Sequence, residues 1–204
     1  LIYSGNHYEC AQSGELERLR FMTGISPEGF SWDLAPGAVF QAPEAVLSYS
    51  ANGFGSLSKH FHKFIRSYIV RGTWAQKPRP ILFNTWEAAY FNFNEDRILT
   101  MARQAKDLGA ELLVLDDGWF GKRNSTKTSM GDWFCNPEKL PHGVDGLARR
   151  VHELGLQFGI WVEPEAISVD SDLYRAHPEW SLSIPGCHHS LGRNTHLLDL
   201  SNPE

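Results

Sequence analysis

Four short stretches end an apolar run in tryptophan, carboxylate or both: Trp86-Glu87, Asp116-Asp117-Gly118-Trp119, Trp161-Val162-Glu163-Pro164-Glu165 and Asp199-Leu200-Ser201. A carboxylate accepts hydrogen bonds at two oxygens and can grip two neighbouring hydroxyls, each charge-assisted bond contributing on the order of 1.5–3 kcal/mol. Indole adds a flat apolar face with a polar edge, which suits the C–H face of a sugar ring. The chain holds seven Trp, six Tyr and twelve Phe, so such faces are plentiful. For any single tryptophan core packing is the better explanation, and position along the chain has to decide.

Each candidate has a plainer role beside the chemical one. One of Asp116 and Asp117 can cap the turn that follows. Adjacent carboxylates repel, which tends to raise one pKa and would suit an acid. Neighbours in a strand point in different directions, however, and a retaining glycosidase pair must flank one bond roughly 5–5.5 Å apart. Glu163 and Glu165 alternate with Val162 and Pro164, so both point the same way from a strand end. They fit a catalytic pair, metal ligands or ion-pair support, with support ranked first. His60-x-His62 and His188-His189 lack the spacing and companion ligands of a zinc motif, and no metal or other cofactor is expected. The Lys-, Ser- and Thr-rich stretch from Gly121 to Gly131 lacks the glycines that cradle phosphate and reads as a solvated loop. Trp133, in Met130-Gly131-Asp132-Trp133, either borders a ligand entrance or anchors that loop.

The elements needed to hold these residues can be read from periodicity. Residues 1–52 look like short β pieces (Leu1–Tyr3, Leu16–Met22, Ala38–Gln41, Ala45–Ser50) separated by Gly5, Gly14, Gly24, Gly29 and Gly37 and by Pro27, Pro36 and Pro43. Phe54, Leu57, Phe61, Phe64, Ile65 and Tyr68 share one helical face, predicting a connecting helix over about 55–70 within a 53–79 linker. From residue 80 onward the texture changes. Pro80–Trp86, Glu111–Asp116, Phe158–Val162 and His196–Leu200 are apolar runs suited to strands covered on both faces. Helical patterns lie between them: one face of Ile98, Met101, Ala102, Ala105 and Leu108 ending at Gly109, another of Leu147, Val151 and Leu154 ending at Gly155, and a short one at 172–176. Alternating strand and helix implies parallel βα units, and no glycine-rich phosphate turn follows any strand. The expected fold is α/β: the first four units of a (β/α)8 barrel over 80–204, preceded by the tail of a β-sandwich domain over 1–52 and the linker helix. Strand C-terminal ends form the functional face of such a barrel.

Composition narrows the remaining classes. With 21% charged and 42% apolar residues, the 204-residue chain is an ordinary globular one. A net charge of −5 with scattered Lys and Arg offers no stripe for nucleic acid. No apolar run approaches the ~20 residues that cross a bilayer. Cys10, Cys135 and Cys187 are odd in number and widely spaced, which fits a reducing, cytoplasmic compartment and no disulfide framework. The chain begins at Leu1 without a methionine and stops within a loop-like segment, as an excerpt of a longer protein would.

Asn84-Thr85-Trp86-Glu87-Ala88, Leu115-Asp116-Asp117-Gly118-Trp119-Phe120, Gly131-Asp132-Trp133, Gly159-Ile160-Trp161-Val162-Glu163-Pro164-Glu165 and Leu198-Asp199-Leu200-Ser201-Asn202-Pro203 resemble, in order, the signatures of glycoside hydrolase family 36. The resemblance runs from about Phe54 to Glu204 and implies an α-galactosidase of the bacterial raffinose and melibiose type. It further implies a β-supersandwich, a catalytic barrel and a C-terminal β domain in a frequently tetrameric enzyme, with retention through a covalent galactosyl-aspartate. The family's Lys-Trp-Asp-type nucleophile motif is absent from these 204 residues, so no catalytic residue is carried over. Substrate-binding residues are: Asp116 and Asp117 resemble the pair that binds the 4- and 6-hydroxyls of galactose, Trp86 and Trp161 the aromatic lining, and Arg193 an arginine reaching the sugar from a loop. On sequence alone, Arg193 would pass for a surface residue. A galactosyl-transferring relative, or a galactose-binding barrel that has lost its catalysts, would share all of these features. The expected partner is a small oligosaccharide, with no nucleic acid and no membrane, in a homo-oligomer.

Overall fold

The computed structural model describes residues 9–15, 18–25, 30–42, 44–183, 186 and 192–202, with side chains described outside 9–23. Leu1–Tyr3, Gly5, Pro27, Gly29, Pro43, Cys187, His188, His189 and Pro203 lie outside the described residues. The chain divides into two compact units, Leu1–Lys77 and Pro78–Glu204.

In the first unit, β1 (Glu9–Glu15) and β2 (Arg18–Gly24) pair antiparallel, from Glu9 opposite Gly24 to Glu15 opposite Arg18. The sequence reading placed a strand at Leu16–Met22 and overlooked β1. That segment, ECAQSGE, lacks β-branched and aromatic residues, so its strand character comes from its partner. Ala38–Gln41 and Ala45–Ser50 are not strands, contrary to expectation: Val39, Leu47 and Tyr49 are exposed, and no ladder engages them. The predicted connecting helix is present as α1 (Gly53–Phe64), continued by a wider π-type turn over Ile65–Ile69.

The second unit is an α/β layer around a parallel sheet. β3 (Leu82–Asn84), β4 (Leu112–Leu115) and β5 (Gln157–Ile160) lie side by side, with Phe83 opposite Leu113 and Leu113 opposite Phe158. The short helix α2 (Trp86–Ala89) follows β3, and α3 (Glu95–Asp107) leads to β4. Asn94 caps α3 by accepting the Arg97 amide at 3.0 Å, and Glu95 and Asp96 sit in its first turn, where negative charge complements the helix dipole. Past the last turn, Gly109 takes a φ of +94°, a conformation that favours glycine. α4 (Gly143–Glu153) precedes β5. Ile98, Leu99, Ala102 and Ala105 of α3 and Leu147 and Val151 of α4 bury against Leu113 and Leu115 of β4. The opposite sheet face is more open, with Leu82 51% exposed, so burial on both faces is not what the described residues have.

The expected fourth parallel strand is a correction. Only His196–Leu197 (β7) forms a strand, pairing antiparallel with β6 (Ala166–Ile167), and Leu198 adds an isolated antiparallel bridge to Ser181. Backbone groups of that segment are taken by Leu182, Glu165 and Trp180, through Leu182 N to Leu197 O, Leu198 N to Glu165 O and Asp199 N to Trp180 O. None goes to β5, and the parallel sheet has three strands among the described residues. The short helix α5 falls at Asp172–Ala176, as predicted.

Glu95 is buried where α3 meets α4, accepting from His142 Nδ1 at 3.0 Å and from Arg150. Burial pushes its carboxyl up, but the bonds from His142 and Arg150 outweigh burial and hold it below the usual glutamate range. A folded value below the unfolded one stabilises the fold above the ordinary carboxylate pKa, and that contribution fades as pH falls through the folded value. In the full-length protein, Glu95→Gln should lower the melting temperature near neutrality. The gap from wild type should close as pH falls from about 5 towards 3. A gap that stays constant in thermal melts across this range would show that the charge of Glu95 is not what stabilises the α3–α4 contact.

Candidate functional site

Parallel register brings the C-terminal ends of β3, β4 and β5 together, and side chains extend the ladder beyond the strands. Thr85 N donates to Val114 O at 3.1 Å, and Trp161 N donates to Leu115 O at 2.9 Å. The buried Thr85 accepts the Asp116 amide on Oγ1 at 3.0 Å. Asn84, the last residue of β3, donates from Nδ2 to Asp116 Oδ2 at 2.5 Å and accepts the Trp86 amide on Oδ1 at 2.7 Å. Asp116 Oδ1 accepts the amide of Asp117 at 2.7 Å. Asp116 is thereby held on both oxygens while remaining only half-buried at the rim.

Asp117 faces a different environment. It is buried, and its two oxygens accept Nε and one terminal nitrogen of Arg123 at 2.9 and 2.8 Å. Arg123 is 1% exposed; its other terminal nitrogen donates to Thr128 O at 2.8 Å, and its guanidinium lies 5.6 Å from the centre of the Phe91 ring. The stretch around it is a solvated loop only in part: Lys122, Asn124, Thr126 and Lys127 are exposed, whereas Arg123, Ser129 and Met130 are buried. Lys139 supports the same turn from below. Its Nζ donates to Phe91 O, Gly118 O and Arg123 O at 2.9–3.2 Å and sits 4.7 Å from the Phe93 ring centre. Burial pulls the Lys139 ammonium below its ordinary pKa, while the charge of Asp117 pulls the other way.

The aromatic candidates fall into two groups. Half-buried Trp86 meets Tyr90 and Phe91 edge-on at 5.2 and 5.0 Å. Trp161 belongs to a cluster with Phe120 and Trp133, and Trp119 Nε1 donates to Trp161 O at 2.9 Å. Trp133 packs against Phe120 at 4.4 Å, anchoring the loop. Arg193, in a left-handed backbone conformation at φ +56°, forms an ion pair with Glu163 at 2.9 Å. The other oxygen of Glu163 is buried without a hydrogen-bond partner among the described residues. The structure thus draws Asp116, Asp117, Trp86 and Trp161 to one end of the sheet, and Arg193 joins through Glu163, two residues beyond Trp161. Asp199 does not join the strand ends. It closes a local turn, accepting the Ser201 amide and hydroxyl, and those bonds hold its carboxyl below the usual aspartate range. Among the described residues no group of three or more His, Cys, Asp or Glu is placed to hold a metal ion.

Sequence reasoning missed Asn84, Arg123 and Lys139. Asn84 stands next to a flagged Trp-Glu pair and was within reach of it. Arg123 and Lys139 carried no signal, because a basic residue in a polar stretch looks solvated until the fold buries it.

The melibiase family model matches residues 39–204. Alpha-galactosidase AgaA of Geobacillus stearothermophilus is 49% identical over 203 residues, covering 100% of this chain and 28% of AgaA. Alpha-galactosidase 1 of Pediococcus pentosaceus is 44% identical over 200 residues, covering 98% of this chain and 27% of the relative. The chain thus spans less than a third of the length of these relatives. A crystal structure of a substituted GH36 AgaA in complex with 1-deoxygalactonojirimycin superposes at a TM-score of 0.92 and 48% identity, over 99% of this chain and 28% of that one. Another, in complex with raffinose, gives 0.91 at 48% identity over 96% and 27%.

Gly118 completes the turn with a φ of +104°, and a Cβ there would meet Phe91 at 3.1 Å and Phe93 at 3.2 Å. Gly118→Ala in the full-length protein should therefore destabilise it by about 1–3 kcal/mol, read as a lower midpoint in thermal or denaturant melts. An unchanged midpoint would show that the turn has a second conformation open to alanine.

Proposed function

The chain belongs to the melibiase family, among the α-galactosidases of glycoside hydrolase family 36, and on that premise we propose that the whole protein hydrolyses terminal non-reducing α-D-galactose from α-galactosides such as raffinose and melibiose. The single observation that carries this reading is the rim at the ends of β3, β4 and β5, where Asp116 is held on both oxygens yet half-buried beside Asp117. Asp116 and Asp117 bind the 4- and 6-hydroxyls, Trp86 and Trp161 line the ring, and Arg193 reaches the sugar from its loop. Galactose and glucose differ only in the direction of the 4-hydroxyl. A site built to satisfy that hydroxyl leaves buried oxygens unpaired when it is misplaced, which is where large discrimination arises.

In this reading β3–β5 are the opening strands of a (β/α)8 barrel over 80–204, whose remaining strands cover the open face at Leu82. Residues 1–52 are the end of a β-supersandwich and 53–79 the connecting linker. Nucleophile and acid/base reside in the rest of the enzyme, which works by double displacement with retention, as a cytoplasmic homotetramer. The raffinose and 1-deoxygalactonojirimycin complexes of AgaA, a relative matched along nearly the whole chain, support the substrate class.

Removing Asp116 deletes one or two charge-assisted bonds to the sugar. Asp116→Ala in the full-length enzyme should lower kcat/KM for p-nitrophenyl α-galactoside about 100-fold or more, with melting close to wild type. Near wild-type kinetics would remove Asp116 from the site.

A further inference from the structure

We infer that Arg123, which never reaches the ligand space, is the positioning residue that sets galactose selectivity by locking the Asp117 carboxylate. The inference rests on the sugar-binding role given above to Asp116 and Asp117. Arg123 is 1% exposed and Asp117 4%, so neither charge is screened by water. Two parallel N–H donors, Nε and a terminal nitrogen, meet the two carboxylate oxygens at 2.9 and 2.8 Å, which fixes both the tilt and the twist of the carboxylate plane. A single point charge would fix neither. The third guanidinium nitrogen is tied to Thr128 O, and the main-chain oxygen of Arg123 is tied to Lys139, so the fork is itself held at both ends. Phe91 and Phe120 flank the guanidinium, at 5.6 and 6.0 Å from their ring centres.

Arg123 takes one of the two lone pairs on each Asp117 oxygen, so each oxygen keeps one further acceptor direction. The open directions are fixed in space before any sugar arrives. Asp116 is oriented likewise by Asn84 and by the Asp117 amide. Two carboxylates with pre-set acceptor directions can accept from hydroxyls of one stereochemistry and not from those of its epimer. A mobile carboxylate would follow either. Lysine at 123 keeps the charge and loses the fork, so the substitution separates the two contributions.

In the full-length enzyme, Arg123→Lys should raise KM for p-nitrophenyl α-galactoside and the inhibition constant of free galactose together by about tenfold, with kcat changed by less than about threefold, the pattern of lost uniform binding. The ratio of inhibition constants for glucose over galactose should narrow. A lower melting temperature with that ratio and KM unmoved would mean that Arg123 serves the fold alone, and would overturn the inference. Should the variant not yield folded protein, the unsubstituted enzyme still tests whether the Asp117 turn is set before the sugar arrives. Amide hydrogen exchange over residues 116–124 should be as slow without galactose as with it, whereas slowing by more than about tenfold on adding galactose would mean that the sugar orders the turn. Wild-type kinetics in Asp116→Ala would instead strike the sugar-binding role itself, so the two failures are distinguishable.

Discussion

Parallel pairing of β3, β4 and β5 in one register is the constraint from which the site follows. Backbone hydrogen bonds between adjacent strands align Asn84 with Val114 and Gly159, and Leu115 with Ile160, so that Asp116 and Trp161 follow together just past the strand ends. The ladder then continues through side chains where the strands end, with Thr85 and Asn84 both reaching Asp116. A slip of one residue in β4 would turn Asp116 towards the helices and Leu115 towards the rim, because strand side chains alternate. Leu113 and Leu115, fully buried against α3 and α4, oppose such a slip, because it would turn them away from the helices. Core packing and ligand geometry are in this sense one constraint.

Beneath the rim, the fold accepts the cost of burying charge. Asp117, Arg123 and Lys139 form a buried cluster of one anion and two cations, in which every cationic nitrogen donates to a carboxylate or a carbonyl. Such pairs are weak evidence for stability, since desolvation offsets much of their attraction, and an apolar replacement often does as well. Their persistence in a site is better explained by orientation. Breaking one partner alone typically costs about 3–5 kcal/mol, so the arrangement resists drift. Arg123 also ties the strand-end turn to the polar stretch at Thr128. The contrast with Arg193 is instructive. That arginine is 64% exposed and pairs with one Glu163 oxygen, so water screens its charge as it does not screen that of Arg123.

Much of this was legible in the sequence where local pattern and tertiary role coincide. Apolar runs ending in Asp116-Asp117-Gly118-Trp119 and Trp161-Val162-Glu163 identify parallel strands and their C-terminal ends together, and the faces of α3 and α4 with their terminal Gly109 and Gly155 follow from helical spacing, except that Leu108, counted on the α3 face, lies past the last turn and is exposed. The second half of the chain was harder. His196–Leu200 has the composition of a buried strand, yet only two of its residues form a ladder, with Ala166–Ile167, and Leu198 makes a single bridge to Ser181. Composition reports that a segment can be a strand and says nothing of which neighbour will take its hydrogen bonds. β1 errs the other way: its residues have little strand propensity and are strand because β2 lies beside them.

Sequence alone determined the family, the α/β class and the identity of the rim carboxylates and indoles, since each depends on residue types at local spacing. Only the tertiary structure decided which of two adjacent aspartates is half-exposed and which is buried, and that a basic residue in a polar stretch is the partner of the buried one. The physical reason is that burial belongs to a place in the packed molecule. Arg123 has the same side chain in a solvated loop as in a dry pocket, and nothing within a few residues of it says which it will meet.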